Sequence, residues 1–162
     1  MKVVGIDPGT AACGYGIVHK NGARLEGIVL GCWSTRAAEP MELRLKTIYD
    51  GVMGLIAEHA PDAVAMEESF VGADARIALS VGQARGAVLV AAANAGIPCT
   101  EYAPSTVKQA VCGYGRAEKA QVQRMVKSIL HLDEMPNPNH ADDALAVAIC
   151  HAMAPPLLRL VG

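Results

Sequence analysis

An apolar run, Val3-Val4-Gly5-Ile6, ends on a carboxylate, Asp7, and the chain turns at once through Pro8-Gly9-Thr10. No other stretch limits the fold as much. The run reads as a buried strand, and a charge taken out of water without a partner is costly. Asp7 must therefore be hydrogen-bonded, paired or bound to a metal at a strand tip. The turn lets the backbone reverse, and Cys13-Gly14-Tyr15-Gly16-Ile17-Val18 reads as the returning strand. An acid at a strand tip beside a Gly-rich turn points to a divalent cation and a phosphorylated ligand. The plainer alternative is an Asp that caps its own turn.

The rest of the chain extends this start into a mixed sheet. Strands are expected at 2–7, 13–19 and 24–34, with Lys20-Asn21-Gly22 as a tight turn. A helix over 41–59 carries Leu43, Leu45, Ile48, Val52, Leu55 and Ile56 as its apolar side. Pro61-Asp62 ends it and leads to a buried strand, Ala63-Val64-Ala65-Met66, which terminates at Glu67-Glu68. An Ala-rich helix over 74–95 and a fifth strand over 97–102 follow. Shorter helices are expected from Pro104-Ser105 to Val111, over 117–132 and over 140–153, with Cys112–Arg116 as a loop and Pro136–Asn139 as an irregular connector. Three antiparallel strands followed by strand–helix alternation give an α/β fold, a five-stranded mixed sheet flanked by helices. One domain over 1–154 is expected, with 155–162 a flexible tail.

Composition narrows the class. An apolar fraction of 52% in 162 residues argues for a packed globule. The net charge of −2 announces no polyanion, but charge is uneven: 39–62 nets −3 and 101–131 nets +3. A polyanion would be held on a local face. Five cysteines without CxxC spacing fit reduced thiols in a cytoplasmic protein better than zinc or disulfides. No apolar leader is evident at the N-terminus, and no run is expected to reach a membrane span.

Acids in apolar settings recur in three places: Asp7, Glu67 and the start of the last helix, His140-Ala141-Asp142-Asp143. Adjacent residues on a strand face opposite ways, so only one of Glu67 and Glu68 can join Asp7. Glu67 continues the face of Ala63 and Ala65 and is the candidate. His140 and Asp143 are three apart on a helix and share a face. Asp142 points elsewhere and is expected to face water as helix N-terminal charge. Oxygen-rich ligands with one imidazole favour Mg²⁺ or Mn²⁺. Two such ions about 3.5–4 Å apart assist in-line phosphoryl displacement, and three carboxylates suit their joint charge.

Several blocks together, Val4-Gly5-Ile6-Asp7-Pro8-Gly9-Thr10 with Gly14-Tyr15-Gly16, Ala65-Met66-Glu67, Gly82-Gln83-Ala84-Arg85-Gly86, Val107-Lys108-Gln109, Lys119-Ala120-Gln121-Val122 and Asp143-Ala144-Leu145-Ala146, resemble the RuvC family. These are bacterial Holliday junction resolvases with a ribonuclease-H-like fold, and the resemblance covers the chain except its tail. It implies a homodimeric, Mg²⁺-dependent endonuclease that nicks two opposed strands of a four-way DNA junction, partnered with the RuvA–RuvB branch-migration machine. The family's catalytic acids fall on Asp7, Glu67 and Asp143, and the fourth falls on His140, where many members carry Asp. An imidazole there shifts the expected preference toward Mn²⁺.

On the substrate side, Phe70 is the only phenylalanine and follows Glu67 in an expected loop, 69–73. An aromatic stacked on an unpaired base contributes about 1–3 kcal/mol, and the resemblance makes Phe70 the wedge near the crossover; a core Phe is the other reading. Lys108 and Lys119 match family lysines near the scissile phosphate. Tyr114 and Arg116 join them on charge and position alone, as a loop where backbone can approach phosphate, with a solvated basic face as the alternative. Arg76 and Arg85, on the Ala-rich helix, are further candidates for DNA contact or for a helix or dimer role. That helix carries Ala78, Gly82, Gly86, Ala87, Ala91 and Ala92, small residues that would admit a second helix in a two-fold dimer. Actin-like ATPases and sugar kinases share an Asp-Gly-Thr-type turn but need two lobes, for which the chain is too short. A ribonuclease-H-like nuclease of another nucleic acid, and a junction-binding module with weakened chemistry, remain alternatives.

Overall fold

Alternating β-branched and small residues build the sheet, and its strand order puts the two acid-tipped strands side by side. The computed structural model describes residues 1–68, 74–133 and 140–155. Strands β1 (Lys2–Asp7), β2 (Ala12–Asn21) and β3 (Arg24–Ser34) form an antiparallel meander. Strand β4 (Ala63–Glu67) adds parallel to β1, and β5 (Cys99–Tyr102) adds parallel to β4, giving the order β3-β2-β1-β4-β5. Five helices complete the described chain: α1 (Met41–His59), α2 (Ala75–Asn94), α3 (Pro104–Cys112), α4 (Lys119–Ile129) and α5 (His140–Met153).

The period of two along each strand divides the core in half. Val4, Ile6, Val64 and Met66 pack with Ile48, Val52 and Leu55 of α1 and Ala84, Val88, Ala91 and Ala92 of α2. Val3 and Ala65 face the other way, into α3, α4 and α5. Asp7 and Glu67 continue the odd-numbered set, so both carboxylates emerge on the α5 side. Helix α5 is buried almost throughout, from Ala141 to Ala152.

Some expectations need correcting. Leu43 lies off the Ile48–Val52–Leu55 stripe, about 140° round the helix at 100° per residue, and is 53% exposed. Strand β2 is longer than expected, at both ends. Strand β5 starts two residues late, because Pro98 has no N–H to donate to the ladder. Helix α4 starts at Lys119, with Glu118 still extended (φ −73°, ψ 154°), and ends before His131, whose φ of 53° no helix accommodates. By length and composition alone α2 is apolar enough to cross a membrane, contrary to the expectation that no run would be. Its buried side packs on the sheet and α1, and its other side exposes Ile77, Leu79, Leu89 and Val90. The loop carrying Phe70, the connector 136–139 and the tail beyond Pro155 lie outside the described residues.

Candidate active site

Two glycines decide where α5 sits. A Cβ built on Gly5 would collide with the carbonyl oxygen of Ala144, and one on Gly14 with that of His140. Helix backbone therefore rests directly on the β1–β2 pair, a closeness only glycine permits. Gly14 is the antiparallel partner of Asp7, so seating His140 on Gly14 brings the imidazole to Asp7. His140 Nδ1 lies 2.8 Å from Asp7 Oδ2. An ionised carboxylate only accepts, so Nδ1 is the nitrogen that donates to Asp7, which leaves Nε2 turned away from this bond. In parallel register Ile6 pairs with Met66, so Asp7 and Glu67 end neighbouring strands at the same level.

Asp7, Glu67 and Asp143 line one cleft of about 440 Å³, together with Glu68, Val81, Pro104, Lys108 and Lys119. Lys119 Nζ donates to Asp143 Oδ2 at 2.8 Å. Burial pushes the Glu67 carboxyl up to about 7, and repulsion from Asp143 and Asp7 adds to it, against partial relief from Lys108 and Lys119. Burial also raises Asp7, against the His140 hydrogen bond, with the Asp143 charge adding to the rise. The Lys119 ammonium is raised chiefly by its bond to Asp143. These shifts describe a pocket with more negative charge than its two lysines offset.

No three His, Cys, Asp or Glu side chains among the described residues close on a single point at metal-ligand range. The acids take separate donors instead, His140 for Asp7 and Lys119 for Asp143. The donor set nonetheless fits hard divalent cations. Three carboxylates share the cleft, their repulsion is incompletely balanced, and the His140 imidazole, which does not line the cleft itself, stands against Asp7 at its edge.

Other candidates scatter. Tyr114 is half exposed and its hydroxyl donates to Gln121 Oε1 at 2.9 Å. Arg116 is exposed on the same loop. Arg76 stands out from α2 with its side chain 96% exposed, 3.9 Å from the helix-capping Asp74. Arg85 is committed to an ion pair with Glu101 of β5 and does not join the cleft. Phe70 lies outside the described residues. Asp142 overturns its expectation: it is 1% exposed and accepts from Gln123 Nε2 at 2.8 Å. Helix α4 packs over this side of α5, and its spacing of Lys119 and Gln123, four apart, was the available signal.

The family model for crossover junction endodeoxyribonuclease RuvC matches residues 3–151. A crossover junction endodeoxyribonuclease RuvC of Desulfitobacterium hafniense is 51% identical over 162 residues, all of this chain and 98% of that one. Another, from Desulforamulus reducens, is 53% identical over 152 residues, 94% of this chain and 93% of its own. Among solved structures, Thermus thermophilus RuvC in complex with a Holliday junction substrate matches with a TM-score of 0.89 at 42% identity, over 94% of this chain and 93% of that one.

Proposed function

The chain belongs to the RuvC family of crossover junction endodeoxyribonucleases, and from that premise we propose how its site cuts DNA. The protein is a Holliday junction resolvase, an endonuclease that hydrolyses phosphodiesters at four-way junctions. One observation carries the assignment of residues: Asp7, Glu67 and Asp143 line a single cleft rimmed by Lys108 and Lys119.

In this reading Asp7, Glu67 and Asp143 are the catalytic acids and, with His140, hold Mg²⁺ or Mn²⁺. Two such ions, when bound, would stabilise both the attacking and the leaving oxygen of an in-line displacement. The chain's own groups do the rest. Lys108 and Lys119 place ammonium groups against a phosphate that approaches the carboxylates, offsetting charge that would otherwise repel it. A P–O bond forms to the oxygen of water while the bond to the departing sugar oxygen breaks. His140 anchors its ring on Asp7 through Nδ1–H, leaving Nε2 as a ligand or as acceptor for the water's proton. Phe70, Tyr114, Arg116 and Arg76 are assigned to DNA contact by charge, ring chemistry and position; Arg85, paired with Glu101, serves the α2–β5 packing.

Resolution requires two nicks, and a two-fold dimer supplies two sites. Leu79, Gly82 and Val90, all exposed, share one stripe of α2 with the half-buried Gly86. A Cβ at Gly82 or Gly86 would meet nothing within 4 Å, so a second copy can approach there. The catalytic unit is taken as a single domain over 1–154. Five free cysteines support a cytoplasmic setting, and the RuvA–RuvB branch-migration machine is the expected partner.

The test is a labelled synthetic four-way junction incubated with Mg²⁺ or Mn²⁺, with Asp7→Asn as control. Paired nicks that vanish in Asp7→Asn are expected. Binding without nicks would make the protein a junction-binding module, and cutting of RNA alone would make it a different nuclease.

A further inference from the structure

Asp142 is 1% exposed, yet no cation among the described residues forms an ion pair with it; Lys119, bonded to Asp143, acts on it only through space. Its Oδ2 accepts from Gln123 Nε2 at 2.8 Å, and its Oδ1 is buried with no hydrogen-bond partner among the described residues. A half-satisfied carboxylate in a core is expensive, and an apolar residue would serve packing better. The neighbouring contact explains its presence. Lys119 and Gln123 stand four apart on one face of α4, and they grip successive carboxylates of α5, Asp143 and Asp142, each at 2.8 Å.

Successive helical residues point about 100° apart, so two such grips resist rotation of α5 about its own axis, which one grip alone would allow. Gly5 and Gly14 set how close α5 lies to the sheet on one side, and the two grips from α4 fix its azimuth on the side that carries the acids. Because a carboxylate can only accept, the amide NH₂ of Gln123 must face it, which gives the contact a single orientation.

We propose that the Gln123–Asp142 pair is a positioning device that fixes the roll of α5 and thereby the aim of Asp143 at Asp7 and Glu67. Gln123 touches neither substrate nor cation. It acts through Asp142 and the helix on the carboxylate that does. The inference rests on the nuclease reading for its consequence, but its structural content is separate.

The experiment measures Mn²⁺ binding to the DNA-free protein by titration calorimetry, alongside junction cleavage as a function of Mn²⁺. In Gln123→Leu the donor is lost at constant volume. Mn²⁺ affinity is expected to fall about 10-fold, as for other partners that orient metal-binding groups. The Mn²⁺ needed for half-maximal cleavage should rise in parallel, with the maximal rate at saturating Mn²⁺ close to wild type. Exchanging the two groups, Gln123→Glu with Asp142→Asn, restores one hydrogen bond with donor and acceptor reversed and should recover Mn²⁺ affinity. Should Gln123→Leu fail to fold, Gln123→Asn withdraws the amide by one methylene and is read the same way. Unchanged Mn²⁺ affinity in the single variant, or an exchanged pair that binds Mn²⁺ as weakly as Gln123→Leu, overturns the proposal. Wild-type protein that binds Mn²⁺ but cuts no junction overturns the nuclease reading instead.

Discussion

Replacing Glu67 by Gln should destroy cleavage and stabilise the fold, and the stability gain should depend on pH in a stated way. Burial and the charges of Asp143 and Asp7 raise the Glu67 carboxyl from 4.5 to about 7. Since one pKa unit corresponds to ~1.4 kcal/mol, ionising this group in the folded protein costs about 3 kcal/mol. Part of the side chain meets solvent, which screens the charge and brings the expected effect nearer ~2 kcal/mol. The sign follows from linkage: a carboxyl raised on folding favours the folded state fully below its unfolded value of 4.5, and that advantage is lost as pH rises through about 7. Glutamine keeps the shape and cannot ionise. Urea unfolding of both proteins without divalent cations, from pH 4 to pH 9, reads the difference. The two should coincide near pH 4, diverge between 4.5 and 7 with Glu67→Gln the more stable, and run parallel above that. A constant difference, or a less stable Glu67→Gln at pH 8, would refute the charge-crowding argument. The same crowding is what divalent cations would relieve, so added Mn²⁺ should stabilise wild type far more than the variant.

Gly14→Ala should push α5 off the sheet where the new methyl meets the His140 carbonyl; a stability loss of about 1–3 kcal/mol by urea unfolding should accompany a cleavage loss larger than the loss of junction binding. His140→Asp should raise the ratio of the Mg²⁺ to the Mn²⁺ cleavage rate, because carboxylate is the harder ligand; an unchanged ratio argues that His140 is not a ligand. Val90→Glu, on the exposed stripe of α2, should give a monomer by analytical ultracentrifugation and abolish paired nicking; a dimer that persists moves the interface elsewhere.

Much of this molecule is written locally. The strand Lys2–Asp7, the helix Met41–His59 and the helix His140–Met153 appear at the residues that hydrophobic periodicity predicts, because period and apolar content act over a few neighbours. The choice of Glu67 over Glu68 followed from parity alone. Glu67 faces the Asp7 side, although Glu68 also reaches the cleft rim. What one-dimensional reasoning misjudged was burial decided by a distant element. Asp142 reads as solvent-facing from its place in α5, yet α4 covers it and Gln123, nineteen positions earlier, holds it. Arg85 reads equally as a DNA contact or as a helix or dimer residue, and only the arrival of β5 puts Glu101 against it.

The chain's order of residues determined which groups exist to do chemistry and the strand and helix ends on which they stand. Tertiary packing alone decided their separations and charge states, through the two glycine seats, the Lys119 contact and the shared desolvation of the acids. Desolvation and Coulomb repulsion depend on what surrounds a group in space, and that surrounding is assembled from segments more than a hundred residues apart, as the 2.8 Å meeting of Asp7 with His140 shows.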